Sequence, residues 1–171
     1  MKRDIFNEIE IPEGVEVLVD ENKVTVKGQE GEITRQFNAY KISIEKKDSK
    51  ISVGRKNAGK QEKNMINTIA AHINNMVKGV QNKFEYTMKV CSSHFPMTVE
   101  KKENVISVKN FFGEKVPRTV KLKEGTEVEV KKDMITIKSV DKEKAGQAAT
   151  DIEGLTKISS KDRRIFQDGI F

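Results

Sequence analysis

The chain has one cysteine, two histidines, three prolines and no long apolar run, and each shortage removes a class of protein. A lone thiol, Cys91, cannot build an internal disulfide framework, which suits a reducing compartment. A closed zinc site takes four ligands, so with only His72 and His94 beside it the Cys91-Ser92-Ser93-His94 spacing is half a metal site and no more. Cys91 is expected as a small apolar packer and His94 as a loop residue. No stretch reaches membrane-span length and the opening MKRDIFNEIEIPEG has no apolar h-region, so no membrane partner and a cytoplasmic chain are expected. Nor is there a nucleophile beside a base: His72 sits within a helical pattern next to its apolar stripe, and Asp and Glu are scattered among Lys as solvated pairs. The expectation is a non-enzyme with no cofactor and no metal.

What the sequence does have is charge and β-branched residues. Lys and Arg number 32 against 26 Asp and Glu, a net of +6, which favours an anionic partner without specifying one. The surplus leans towards the second half: residues 1–82 carry 14 basic and 12 acidic side chains, residues 83–171 carry 18 and 14. With Gly and Pro sparse and β-branched residues recurring throughout, the composition is that of a folded protein rather than a disordered one.

Short alternating runs at 8–11, 15–19, 23–27, 32–37, 41–45 and 50–53 predict half-buried antiparallel strands, joined by polar turns such as Asp20-Glu21-Asn22. The period then changes. Met65, Ile66, Ile69, Ile73, Met76, Val77 and Val80 recur three or four apart, predicting a helix that starts near Asn57 and stops at Gly79. The same order begins again, with runs at 83–90, 97–100, 105–109, 119–122, 126–130 and 134–138 and a helix over 141–155.

Shifted by 82 positions, Glu21-Asn22, Val24-Thr25-Val26-Lys27 and Gly31-Glu32 fall on Glu103-Asn104, Ile106-Ser107-Val108-Lys109 and Gly113-Glu114, six identities and two conservative swaps. Ile51-Ser52-Val53 then matches Ile135-Thr136-Ile137, and Ala58-Gly59 matches Ala145-Gly146 at the two helix starts. A rival overlay of Glu13-Gly14 on Glu124-Gly125 fails because it leaves the helices out of register. The fold class is therefore α+β, a duplication of two lobes over 1–81 and 82–171, each an antiparallel sheet of hairpins packed on one helix, the second ending in a basic tail. The short junction predicts lobes in a fairly fixed relation.

Gly54-Arg55-Lys56-Asn57-Ala58-Gly59-Lys60-Gln61 nearly spells a phosphate-binding P-loop, but Gln61 stands where Mg²⁺ needs a hydroxyl, and hairpins replace the parallel crossovers. In the second lobe Ala145-Gly146-Gln147 occupies the same place without the lysine. The segment reads instead as a basic strand-to-helix turn, with Arg55, Lys56 and Lys60 available to a phosphate. RNA-binding proteins of moderate charge gather Lys and Arg at loops and chain ends. Such places here are the loop 109–118 (Lys109, Asn110, Lys115, Arg118), the turn 138–144 (Lys138, Lys142, Lys144) and the tail 157–164 (Lys157, Lys161, Arg163, Arg164). Ser hydroxyls and Arg forks in the tail suit phosphate and ribose 2′-OH. The pair Phe111-Phe112 could stack on bases, but reads first as packing.

Several segments are specific enough to name a family. Ile11-Pro12-Glu13-Gly14-Val15-Glu16-Val17, Val24-Thr25-Val26-Lys27-Gly28, Val108-Lys109-Asn110-Phe111-Phe112-Gly113-Glu114-Lys115 and Lys161-Asp162-Arg163-Arg164-Ile165-Phe166-Gln167-Asp168-Gly169-Ile170 resemble the sixth ribosomal protein of the large subunit, in its archaeal and eukaryotic form, with the last two favouring the archaeal type. The resemblance implies two duplicated α+β lobes, binding of large-subunit rRNA chiefly through the second lobe, and a place near the stalk base, the sarcin–ricin loop and the translation-factor site. Neighbouring large-subunit proteins, and translation factors, would be its further partners. It puts Lys109, Lys115 and Arg118 forward as rRNA contacts, and Lys161, Arg163 and Arg164 with them. One departure is Gly28-Gln29-Glu30-Gly31, where the family commonly has Gly-Pro-Lys-Gly; the acidic Glu30 puts a first-lobe phosphate contact in doubt. The second lobe is expected to bind rRNA and the first to brace it and face neighbours. The rival reading is a protein-interaction scaffold that uses exposed strand edges.

Overall fold

The structure, a computed structural model, describes residues 3–39, 41–159 and 161–171. The chain divides into two compact units, Met1–Lys83 and Phe84–Phe171. The first contains β1 (Arg3–Glu10), β2 (Glu16–Asp20), β3 (Lys23–Gly28), β4 (Gly31–Gln36), β5 (Ser43–Lys47), β6 (Lys50–Ala58) and then α1 (Lys60–Gln81). The second follows with β7 (Phe84–Cys91), β8 (Thr98–Lys102), β9 (Val105–Lys109), a 3-10 turn at Phe111–Gly113, β10 (Arg118–Lys121), β11 (Glu127–Lys131), β12 (Met134–Ser139), α2 (Lys142–Leu155) and β13 (Gly169–Ile170).

Each unit divides its strands between two antiparallel sheets, ordered β2-β3-β4 and β1-β6-β5 in the first and β10-β9-β8 and β11-β12-β7-β13 in the second. Alternation decides which side chains go inside: Val24 and Val26 of β3 and Ile106 and Val108 of β9 are essentially without solvent exposure, as the 82-residue shift requires. Along α1 the apolar stripe Ile66, Ile69, Ile73, Met76, Val77 and Val80 is buried. In α2 the buried face is narrower, Ala145, Ala148 and Ile152, and its small residues let the helix sit close to β7 and β12. Where the two sheets of a unit meet, a lysine crosses the seam. Lys46 of β5 donates to the Val17 carbonyl of β2 at 3.1 Å, and Lys101 of β8 donates to the Val128 carbonyl of β11 at 2.9 Å.

Four local expectations need correction. β1 starts at Arg3, not near residue 8, because Asn7 takes an inward position between Ile5 and Ile9 and bonds Asn67 of α1 at 2.9 Å, breaking the apolar alternation that sequence patterning follows. β6 does not end at Val53 but runs to Ala58 against β1, so Arg55 and Lys56 are strand residues and not part of a turn. Gly79 does not stop α1; it is buried inside the helix, which ends at the extended Asn82. Finally, Gly31-Glu32 and Gly113-Glu114 are not equivalent. Gly31 pairs with Gly28 across a two-residue turn, whereas residues 110–117 form a separate loop between β9 and β10.

That two-residue turn is folded back onto the helix end. A Cβ on Gly28 would lie 2.7 Å from the Val80 carbonyl, so only glycine fits. The Glu30 N–H donates to the same carbonyl at 3.0 Å and its carboxylate lies 3.6 Å from Lys83. Glu30 thus has a structural partner within its own unit.

Candidate nucleic-acid interface in the second unit

The loop at 110–117 takes its shape from three left-handed residues, Asn110, Phe112 and Gly113. Asn110 (φ 61°) and Phe112 (φ 48°) both take positive φ; asparagine tolerates this, while for phenylalanine it is strained and must be held by its surroundings. The holders are visible. Asn110 Nδ2 donates to the Pro96 carbonyl at 2.9 Å, and the rings of Phe111 and Phe112 meet edge-on with centroids 4.6 Å apart. Phe112 meets Phe166 of the tail at 5.6 Å, and Phe166 meets His94 at 5.0 Å. Loop, tail and the segment at 93–95 form one aromatic ridge, with the Lys161 ammonium 5.2 Å from the Phe112 ring and 4.7 Å from the Phe166 ring.

The tail is anchored by Asp168, whose side chain is 2% exposed. Its carboxylate accepts the backbone N–H of Ser93 at 2.8 Å and of His94 at 3.0 Å, a longer bond from Phe95 N–H at 3.4 Å, and faces His94 Nδ1 at 3.1 Å. Burial by itself would raise the pKa of this group; the hydrogen bonds from His94, Ser93 and Phe95 outweigh it and bring the pKa down to about 2. Immediately beyond, β13 pairs Gly169 and Ile170 with Cys91 and Val90 of β7, and Phe171 exchanges both backbone bonds with Lys89. The tail is therefore folded onto the unit by the protein's own contacts. Cys91 packs beside it half-buried, and among the described residues no three of His, Cys, Asp and Glu gather as a metal site.

The basic residues singled out from the sequence divide sharply in this setting. Arg118 is internal framework. Its guanidinium holds the Glu114 carboxylate at 2.8 and 2.5 Å, donates to the carbonyl of Leu155, the last residue of α2, at 2.7 Å, and lies 4.5 Å from the Phe111 ring centroid. The same hydrogen bonding holds Glu114 below the ordinary carboxylate range. Lys109 is bound to both oxygens of Glu100 at 2.8 Å, and this contact lowers the Glu100 pKa. Lys138 lies 3.4 Å from Glu85, and Arg164 chelates Asp162. Lys142 sits 5.8 Å from the Phe84 ring, and Lys144 reaches beneath the turn at Gly125. Lys115, Lys157 and Arg163 are exposed, and none of them has an acidic partner among the described residues.

Loop and tail residues are thus brought together, whereas the contacts that join them do not include Lys138, Lys142 or Lys144. Arg55 and Lys56 lie on β6 in the other unit, where Arg55 pairs with Glu62 at 2.9 Å. Lys60 opens α1, and Glu62 already takes the Gly59 N–H at 3.0 Å, using a donor that a P-loop would offer to phosphate. Sequence patterning missed His94, Phe166 and Asp168 as site-building residues, since their contacts span more than fifty positions and leave no periodic trace. Ser160 of the tail lies outside the described residues.

The comparisons with known proteins follow the two-unit build of the chain. The model of the family described as "Ribosomal protein L6" matches residues 11–83 and again 95–169, one match in each unit. The large ribosomal subunit protein uL6 of Methanobrevibacter smithii is 45% identical over 167 residues, covering 98% of this chain and 94% of the relative. Those of Methanothrix thermoacetophila and Methanosarcina mazei are 43% and 39% identical, each covering 100% of this chain and 97% of the relative. A twofold family match on a twice-built fold, with relatives aligned from end to end, establishes that the chain belongs to the ribosomal protein L6 family in its archaeal type, a structural constituent of the large ribosomal subunit and not an enzyme.

Proposed function

We propose that the second unit clamps folded large-subunit rRNA with the ridge formed by loop 110–117 and the tail. What supports this reading is the fusion of the two segments through Phe112 and Phe166, which holds Lys115, Lys157, Lys161 and Arg163 on the outside of a pre-folded surface. Exposed cations without acidic partners can release counterions from phosphate, and a surface already ordered does not lose that gain to its own folding. The assignment narrows the residues first put forward. Lys109, Asn110 and Arg118 shape the loop, while Lys115, Lys157, Lys161 and Arg163 meet the backbone. The paired Lys138 and Arg164, with Lys142 and Lys144, stand as secondary contacts, and Arg55, Lys56 and Lys60 form a separate basic surface on the first unit.

By the family resemblance, the rRNA concerned lies near the stalk base and the sarcin–ricin loop, where neighbouring large-subunit proteins and translation factors would be further partners. The first unit, with Glu30 held by Lys83, braces and faces neighbours. Titration of the cognate rRNA fragment over a range of salt tests the clamp. Lys115→Ala and Arg163→Ala should each weaken binding and lower the salt slope by about one; an unchanged slope in both would remove these residues from the interface.

A further inference from the structure

The tail borders a partly open cavity of about 540 Å³, lined among others by Cys91, Arg163, Phe166, Gln167 and Phe171. Its size lies within the range of about 300–1,000 Å³ usual for sites that take small organic ligands. Two aromatic rings contribute to it. Phe171 is half exposed, yet both its backbone groups are locked to Lys89 at 2.7 and 3.0 Å, and its ring lies against Gly169, where a Cβ would come within 2.8 Å. This is an apolar ring mounted on a fixed backbone. The Arg163 guanidinium has no acidic partner among the described residues. Gln167 uses its Nε2 to reach the Arg164 carbonyl at 3.3 Å, which leaves its side-chain oxygen as an acceptor. Asp168 also lines the cavity, but its oxygens are engaged by the 93–95 segment.

From this set we infer that the cavity seats a single nucleotide extruded from the bound rRNA, an inference that rests on the second unit being the rRNA-binding one. An unstacked base finds Phe166 and Phe171 to lie against, a phosphate finds Arg163, and the free oxygen of Gln167 accepts from an N–H on the base edge. The same oxygen accepts from the amino group of adenine, cytosine or guanine or from the imino N–H of uracil, so it orients the base edge without selecting one base. The surrounding cations argue for a nucleotide over an apolar side chain of a neighbouring protein, since Lys157 and Arg163 would be left without a counter-charge by the latter.

The sole thiol of the chain reports on the site, because half-buried Cys91 is part of the lining. The experiment uses the full chain with its large-subunit rRNA, measuring iodoacetamide alkylation of Cys91, zero-length ultraviolet crosslinks located by mass spectrometry, and rRNA affinity across salt. Saturating rRNA should slow alkylation at least about tenfold and yield a crosslink from Cys91, Phe166 or Phe171 to one base. Gln167→Ala and Arg163→Ala, both at exposed positions, should each relieve the protection by about fivefold or more. Normal rRNA affinity with Cys91 alkylated at the free rate and no crosslink in the cavity would overturn the nucleotide seat while leaving the clamp standing. Protection by whole large subunits but not by the rRNA alone would overturn it too, in favour of a protein occupant. Loss of rRNA binding altogether would remove both readings.

Discussion

Asp168 holds His94 twice, taking its backbone N–H on one carboxylate oxygen at 3.0 Å and facing its imidazole Nδ1 with the other at 3.1 Å. Seventy-four residues separate the two, so this contact closes the tail over the start of the second unit.

Acid should open that closure. The folded-state pKa of Asp168 is about 2, below the ordinary 3.8, so its contribution is fully present above pH 4 and is lost as pH falls towards 2. The shift corresponds to about 2 kcal/mol. Amide exchange of Ser93, His94 and Phe95 should accelerate over that window in the native chain. In Asp168→Asn it should already be fast at pH 7 and show little further pH dependence beyond that of unprotected amides. Equal protection in the two proteins at pH 7 would contradict the anchoring role.

Arg118 and Lys115, three positions apart, should behave oppositely. Arg118→Ala leaves the Glu114 carboxylate and the Leu155 carbonyl without their donor and should destabilise the second unit by roughly 1–2 kcal/mol, most of it from the lost carbonyl bond and ring packing because the ion pair is partly exposed. Arg118→Lys should recover little, since a single ammonium cannot reproduce the planar fork. Lys115→Ala should change stability by less than about 0.5 kcal/mol and act only on rRNA affinity. Urea unfolding alongside rRNA titration separates the two effects.

Gly54→Ala tests the strand reading of the P-loop-like segment. A Cβ there would come 2.2 Å from the Phe6 ring and 2.5 Å from the Ile5 carbonyl, so β1 and β6 must separate, at a cost of roughly 2–3 kcal/mol in the first unit. Thermal unfolding that matches the native chain would contradict the close pairing of β1 and β6 at this position.

Glu30→Lys replaces the carboxylate that lies 3.6 Å from Lys83 with a second cation. The expected result is a loss of no more than about 1 kcal/mol, because the pair is partly exposed, with rRNA affinity unchanged within twofold. A marked gain in affinity would bring the first-unit turn into the interface.

How far the sequence reveals this protein depends on the range of the signal. Val24, Val26, Ile106 and Val108 declare their strands because burial on one face imposes alternation over a few residues. The stripe from Ile66 to Val80 declares α1 in the same way. The first residues of β1 show no apolar alternation because Asn7 takes an inward place, where it bonds Asn67 on a helix sixty positions away. Gly79 has the residue type of a helix stop, yet it lies buried within α1, which its sequence neighbours alone do not reveal. For the site, composition and family likeness located the loop and tail, but nothing local tells Arg118 from Lys115. One is bound by groups up to thirty-nine positions away and the other by none among the described residues. Charge is legible in a sequence; whether it has been neutralised is a property of the fold.

The two seam lysines bear on the life of the chain before it meets its subunit. A ribosomal protein must stay soluble and unpaired after synthesis, and open sheet edges are where such chains recruit one another into aggregates. Lys46 and Lys101 each occupy an edge-strand carbonyl, at Val17 on β2 and Val128 on β11, and set a charged stem along that margin. One outward carbonyl on each of those edges is thus already taken, which hinders pairing there by a misfolded sibling or by a partner seeking to extend the sheet.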